Sequence, residues 1–576
     1  MPGDKPIHES PPAGRPKAWH VLLFVVLALA ALALRAFGLE NTGVGGNDTI
    51  LYYTLAERWS AGNPVYRIGD SIQVFRPALL AFNAAALNIF GHTDYAIKLA
   101  NVIVDSYNVL LVGLLAWLLS GRVLVSFGSA LTYAGLPLAI WAARSELPHT
   151  LSTFFVLLAL VFSLAALRSV RHAHWGSAFA GLWLALAALT HEELILIAVP
   201  IGLFLLYPRP KNQPGALRAG IVRFGLFVLA PACASMLILA RQDAALASLA
   251  KPAVADQNRD VYLETLARFA WNGLSGAGSM VFLVLLGLGL SLFFWKCIRG
   301  STAGDRHYLR SYLFCMGVYL AFLALYAFFL DTVFVRALLP LIPLVIIAVF
   351  FSLVTVLEPS GKVVSRLVVV LVSAGLILGN VGAYSALKVS NRQFSDHWDV
   401  PVLPDVDSWK HGYYGFLHDA AYLPSYYTYW GTVHDVLSGR VDAQNRVLLL
   451  PSTAIYAPGR RPLQVKAYFG DNVIYRLDHA DLSLQELVRI YRVRYIVFST
   501  GQLRQMPTVH SRYLYKGRWA EPAPVDLARE YGMEAYSEQQ ELYRVMRYVK
   551  AVGATELHLL SPGSFEANST RIWELP

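Results

Sequence analysis

Apolar residues fill the first two thirds of the chain in blocks too long for a soluble core, and polar residues gather between them. The blocks lie near 20–37, 95–119, 123–142, 148–168, 176–190, 192–207, 221–240, 275–297, 311–330, 335–357 and 367–386. A spanning helix needs about 20 apolar residues, and in hydrocarbon its backbone polar groups must be satisfied within the segment, so each block predicts a membrane helix. The fifth and sixth blocks are short and poorly separated. The first follows a polar, Pro-rich leader without a small-residue cleavage site, which reads as an anchor rather than a removed signal.

Beyond residue 387 the pattern changes. The runs 446–450 (RVLLL) and 494–499 (RYIVFS) are strand-like, with a helical stretch at 482–491 between them. Such alternation predicts a small α/β domain. The expected fold is a polytopic α-helical membrane protein of about eleven transmembrane helices with a C-terminal extracytoplasmic α/β domain. Its parts are a cytosolic leader at 1–19, a membrane core at 20–386 with a large first outer loop at 38–94, and the α/β domain at 387–576.

Composition agrees with this reading. Of 576 residues, 56% are hydrophobic and 15% charged, against roughly 25% charged in a soluble domain. A soluble enzyme and a disordered chain are excluded. The net charge of +10 belongs almost wholly to the apolar part: residues 1–387 carry +9 and the remainder +1. Positive charge between spans reflects topology and anionic headgroups, so nucleic acid is not an expected partner. Cys233, Cys297 and Cys315 lie in or beside apolar blocks, which leaves no disulfide framework.

The positive-inside rule then orients the chain. With the leader in the cytosol, Arg122, Arg168, Arg209, Lys296, Arg310 and Lys362 fall on the inner side. The outer side receives the first loop, a loop at 241–274, short turns around Arg144, His191 and Asp331, and, by the odd span count, everything after 387.

Chemistry-bearing residues collect on that outer side. In the first loop, Gly45-Gly46-Asn47-Asp48 delivers Asp48 to a helix start, with Tyr52 one turn later. Asp48 is either a helix cap or a base. Further on, Phe75-Arg76-Pro77 opens an apolar helix; Arg76 reads as a snorkelling arginine or as a phosphate clamp, since guanidinium and a helix start both favour phosphate oxygens. The turn after the fourth block's predecessor holds Arg144-Ser145-Glu146-Leu147-Pro148-His149, and the next outer turn holds His191-Glu192-Glu193. No second histidine follows one turn on, so the latter is not a zinc-protease motif. Arg336 leads into Leu339-Pro340-Leu341-Ile342-Pro343, as a helix-end anchor or a second phosphate ligand. The stretch 411–430 is dense in tyrosine, which suits an aromatic belt or a sugar-stacking surface.

Together these pieces resemble the integral-membrane glycosyltransferases of the GT-C class, in particular the protein O-mannosyltransferase and lipid A aminoarabinose transferase superfamily. The family's first-loop acid falls on Asp48 and its following tyrosine on Tyr52. Its basic-Pro pair falls on Arg76-Pro77, its second acidic position on Glu146, and its late Arg-aliphatic-Pro segment on Arg336 to Pro343. Relatives with paired acids in the first loop differ from this chain, where Asn47 and Thr49 flank Asp48. A basic residue followed by Pro-Glu is replaced here by His191-Glu192-Glu193.

The resemblance implies an inverting glycosyltransferase that uses a polyprenyl-phosphate-linked sugar donor and a lipid, glycan or protein acceptor. Asp48 would be the base, with Glu146 as a second catalytic acid. Tyr52, Arg76, Arg336, His149 and Glu192 would bind substrate. No step requires a metal, although a divalent cation bridging Asp48 and phosphate is compatible with the scheme. The expected location is a bacterial inner membrane, with an extracytoplasmic site. The alternatives are a secondary transporter, which would place polar residues near the bilayer midplane, and a non-catalytic partner in envelope assembly.

Overall fold

The computed structural model describes residues 18–36, 39, 47–66, 74–92, 96–168, 173–206, 216–241, 280–299, 302–329 and 335–389, then 436–437, 439–449, 472–475, 482–499, 514–515, 518–519, 545, 547–558 and 570–576. The chain divides into two compact units. One comprises 1–39, 74–86 and 96–422; the other comprises 40–73, 87–95 and 423–576.

The first unit is helical. Its helices are α1 (Ala18–Ala36), residues 77–86 of a helix that continues into the second unit, α4 (Ala96–Ser120), α5 (Val123–Ala134), α6 (Pro137–Ala143), α7 (His149–Arg168), α8 (Ala173–Thr190), α9 (Ala198–Leu206), α10 (Ala216–Arg241), α11 (Met280–Arg299), α12 (Ala303–Phe329), α13 (Ile342–Leu357) and α14 (Lys362–Val389). The helix shared between units is α3 (Pro77–Phe90), and α2 (Asn47–Ser60) lies in the second unit.

The described part of each apolar block is helical, with breaks in three of them. Gly135 closes α5 and Pro137 opens α6, so the third block is two helices. Proline cannot continue a preceding helix but suits the first turn of a new one. The sixth block begins in a 3₁₀ turn at Glu192–Ile197, and the tenth in another at Val335–Leu338. Six helices among the described residues are long and apolar enough to cross a membrane: 18–36, 96–120, 149–168, 217–240, 304–326 and 342–360.

Small residues bring the helices close. α8 packs against α7 and α10. A side chain at Gly181 would collide with the Phe227 carbonyl of α10, and one at Gly176 would meet the Ala166 backbone of α7 at 3.1 Å. Helix association in lipid relies on such close backbone approach, because lipid tails are as apolar as leucine. α4 is central, touching α1, α5 and α7, and its buried positions include Lys98, Asn101, Asp105 and Asn108.

The second unit holds a five-stranded sheet in the order β2-β1-β3-β7-β6, formed by β1 (Arg446–Leu449), β2 (Val473–Tyr475), β3 (Val493–Ser499), β6 (Thr555–His558) and β7 (Thr570–Glu574). The short strands β4 (Leu514–Tyr515) and β5 (Arg518–Trp519) pair separately. β1 runs parallel to β2 and β3, while β7 is antiparallel to β3 and β6. Helix α15 (Leu484–Tyr491) begins at a capping box, Ser483 and Glu486 each satisfying the other's backbone N–H. Strand alternation divides the core: Leu448, Ile496 and Trp573 face α15 with Leu487, and Val447, Val497 and Ile572 pack on the opposite face. The tyrosine-rich stretch 411–430, the loop at 242–274 and Asp331 lie outside the described residues.

Candidate active site

Within the helical unit, charged and imidazole side chains converge where three segments between helices meet. Arg76 precedes Pro77 at the start of α3. Its Nε and Nη2 donate to Glu192 Oε2 and Oε1, both at 2.9 Å. This fork-to-carboxylate geometry is the strongest form of ion pair. Both side chains are largely covered, at 15% and 20% exposed. The guanidinium and the carboxylate neutralise one another in this largely covered position.

The 3₁₀ turn that presents Glu192 starts from extended His191. His191 Nδ1 lies 3.5 Å from Glu193 Oε2, and its ring centroid is 5.4 Å from that of His149. His149 is the first residue of α7 and is buried, as is Glu146 three residues earlier. Glu146 Oε1 lies 3.6 Å from Lys98 Nζ, with side-chain exposures of 1% and 2%. The segments 76, 143–149 and 191–193 thus form one continuous polar region.

Of the residues anticipated from the sequence, Arg76, Glu146, His149 and Glu192 belong to this region. The bidentate pairing of Arg76 with Glu192 joins positions 116 residues apart, and nothing in the sequence links them. Asp48 lies in the first turn of α2, where the helix dipole favours an acid; its side chain is outside the described residues. Tyr52, one turn later, is buried. On the same helix Glu57 is raised by burial, with His92 opposing the shift. Arg336 belongs to the 3₁₀ turn before α13, and its side chain also lies outside the described residues.

Three of the buried charges with no counterpart among the anticipated residues lie on or against α4. One is Lys98. The others form a fully buried pair, Arg35 Nε donating to Asp105 Oδ2 at 2.6 Å. Asp105 Oδ1 accepts from Tyr133 Oη at 2.8 Å and from Asn108 Nδ2 at 2.9 Å, and Arg35 Nη1 donates to the Ala134 carbonyl at 2.9 Å. The signal for Arg35 and Asp105 was present: a charge inside an otherwise apolar block is costly and calls for a partner.

No protein-family model matches the chain, and no curated protein matches it. Among solved structures, ArnT from Cupriavidus metallidurans bound to undecaprenyl phosphate is similar at a TM-score of 0.52 and 14% identity, over 86% of this chain and 95% of that one. The apo state of the same protein gives a TM-score of 0.47 at 14% identity, over 85% and 94%. The apo oligosaccharyltransferase of Archaeoglobus fulgidus gives 0.45 at 13% identity, over 85% and 71%. The chain has the fold of ArnT, the GT-C fold, and is a multi-pass membrane protein.

Proposed function

We propose that this protein is an inverting glycosyltransferase that moves a sugar from a polyprenyl-phosphate donor to a hydroxyl acceptor on the outer face of the membrane. The observation that carries the reading is the buried polar region of Arg76, Glu192, His191, His149 and Glu146, set among apolar helices in a chain with the fold of ArnT. That structure of ArnT holds undecaprenyl phosphate, the kind of ligand an oriented guanidinium suits.

In this scheme Asp48 removes the proton of the acceptor hydroxyl as its oxygen attacks the anomeric carbon. The bond from that carbon to the phosphate oxygen breaks, and the electron pair leaves with the phosphate. A phosphate leaving group needs no protonation, so one base is enough. Arg76, oriented by Glu192, stabilises the charge developing on the phosphate, with Arg336 as a second cation. Glu146 orients the acceptor, beside His149, and Tyr52 steadies Asp48. The residues 387–576 lie outside the cytosol, and the membrane is a bacterial inner membrane.

The phosphate role of Arg76 is tested by binding. Undecaprenyl phosphate is titrated into detergent-purified wild type, Arg76→Ala, Arg76→Lys and Glu192→Gln. A hydrogen bond to a charged group contributes about 1.5–3 kcal/mol, so Arg76→Ala should weaken binding roughly ten- to a hundredfold. Lysine should restore only part, because it lacks the planar fork. Glu192→Gln keeps the guanidinium and should weaken binding less than Arg76→Ala. Unchanged affinity in folded Arg76→Ala would leave Arg76 as a partner of Glu192 alone.

A further inference from the structure

Helix α4 carries a polar stripe through the helical unit. Lys98, Asn101, Asp105 and Asn108 follow one another at intervals of three, four and three residues, which sets them on one helix face. All four are buried, at 2% exposure or less. The stripe holds the segment that bears Glu146 and His149 at three points. Asn101 Nδ2 donates to the Ser145 carbonyl at 2.8 Å. Asn108 Nδ2 donates to the Thr150 carbonyl at 3.2 Å and to Asp105 Oδ1 at 2.9 Å, and Asp105 is fixed in turn by Arg35. Between those two backbone anchors, Lys98 Nζ sits 3.6 Å from Glu146 Oε1.

The arrangement separates two tasks. The asparagines fix the main chain on either side of Glu146, and the lysine faces its carboxylate as a buried counter-charge at 3.6 Å. Buried polar groups that hold one another restrict the geometries a segment can adopt, and inside an apolar bundle they are kept at a cost in stability. We infer that Lys98 is a positioning residue for glycosyl transfer, acting through Glu146 and touching no substrate itself. The inference rests on the transfer reading above and adds to it a residue of α4.

A charge pair that only neutralises a buried acid would look similar, so the test must separate the two. Wild type, Lys98→Met, Lys98→Arg, Glu146→Gln and the double variant Lys98→Met/Glu146→Gln are purified in detergent. Transfer from an undecaprenyl-phosphate sugar is measured on the folded fraction of each, with donor KM and Tm on the same samples. Lys98→Met should lose roughly ten- to a hundredfold in kcat at unchanged donor KM, the size of loss seen when partners that orient metal-binding side chains are removed. Lys98→Arg should keep most of the turnover. The double variant, which leaves no unpaired charge, should be no slower than Glu146→Gln alone, since a residue acting through Glu146 has nothing left to position.

Wild-type kcat in folded Lys98→Met overturns the inference. So does a double variant clearly slower than Glu146→Gln alone, and that comparison decides the matter if Lys98→Met does not fold. A wild type that transfers nothing overturns the transfer reading and this inference together, an outcome distinct from an active wild type beside an equally active Lys98→Met.

Discussion

Asp48→Asn should fold and bind the lipid donor as wild type does, while glycosyl transfer falls at least about a hundredfold. The substitution keeps the shape of the side chain and an oxygen that can accept a hydrogen bond, but asparagine cannot take up the acceptor's proton. Removing a general base typically costs 10²–10⁴-fold in rate, whereas losing a helix-end contact costs about 1 kcal/mol of stability. The two roles therefore separate in one sample, with thermal unfolding and transfer rate measured side by side. Asp48 sits in the first turn of α2 with buried Tyr52 one turn on, so a purely structural role would appear as a lower Tm at normal turnover. Normal turnover would remove Asp48 from the mechanism and make Glu146 the next residue to test.

The second large effect is on folding. Arg35 and Asp105 are both at 0% exposure, and the carboxylate also accepts from Tyr133 and Asn108. Removing one member leaves an uncompensated buried charge, which costs about 3–5 kcal/mol, whereas replacing both with apolar residues of similar size is often close to neutral. Asp105→Leu should therefore express poorly or unfold at a clearly lower Tm, and Arg35→Leu/Asp105→Leu should recover much of the loss. Differential scanning fluorimetry in one detergent compares them. An Asp105→Leu protein that unfolds at the wild-type Tm would mean that the pair adds nothing to the packing of α1 on α4 and α5.

These two sites also mark what could and could not be read from the chain. The membrane helices were legible because hydrocarbon leaves a backbone few options, and apolar blocks register that directly. The strands at 446–449 and 493–499 were legible from β-branched runs. Breaks were harder: Gly135 and Pro137 sit inside a block that hydropathy alone reads as continuous. β6 and β7 went unread because TELH and TRIWE are short and mixed in polarity, and only pairing with β3 makes them strands. At the candidate site, Arg76, Glu146, His149 and Glu192 were singled out from their residue types and their place beside apolar blocks. Their connections were not, since Arg76 with Glu192 and Arg35 with Asp105 are contacts between segments 116 and 70 positions apart. Lys98 lay hidden at the margin of an apolar block, where a lysine ordinarily reads as a snorkelling anchor.

The most direct measurement is turnover in proteoliposomes that contain only this protein and a panel of undecaprenyl-phosphate-linked sugars, each labelled at the anomeric carbon, with a hydroxyl acceptor mixture outside. The account predicts that at least one label moves to an acceptor oxygen with inversion at that carbon and release of an equal amount of undecaprenyl phosphate. Labelled sugar-lipids left intact by folded wild-type protein, or carried across the bilayer without cleavage, would contradict it.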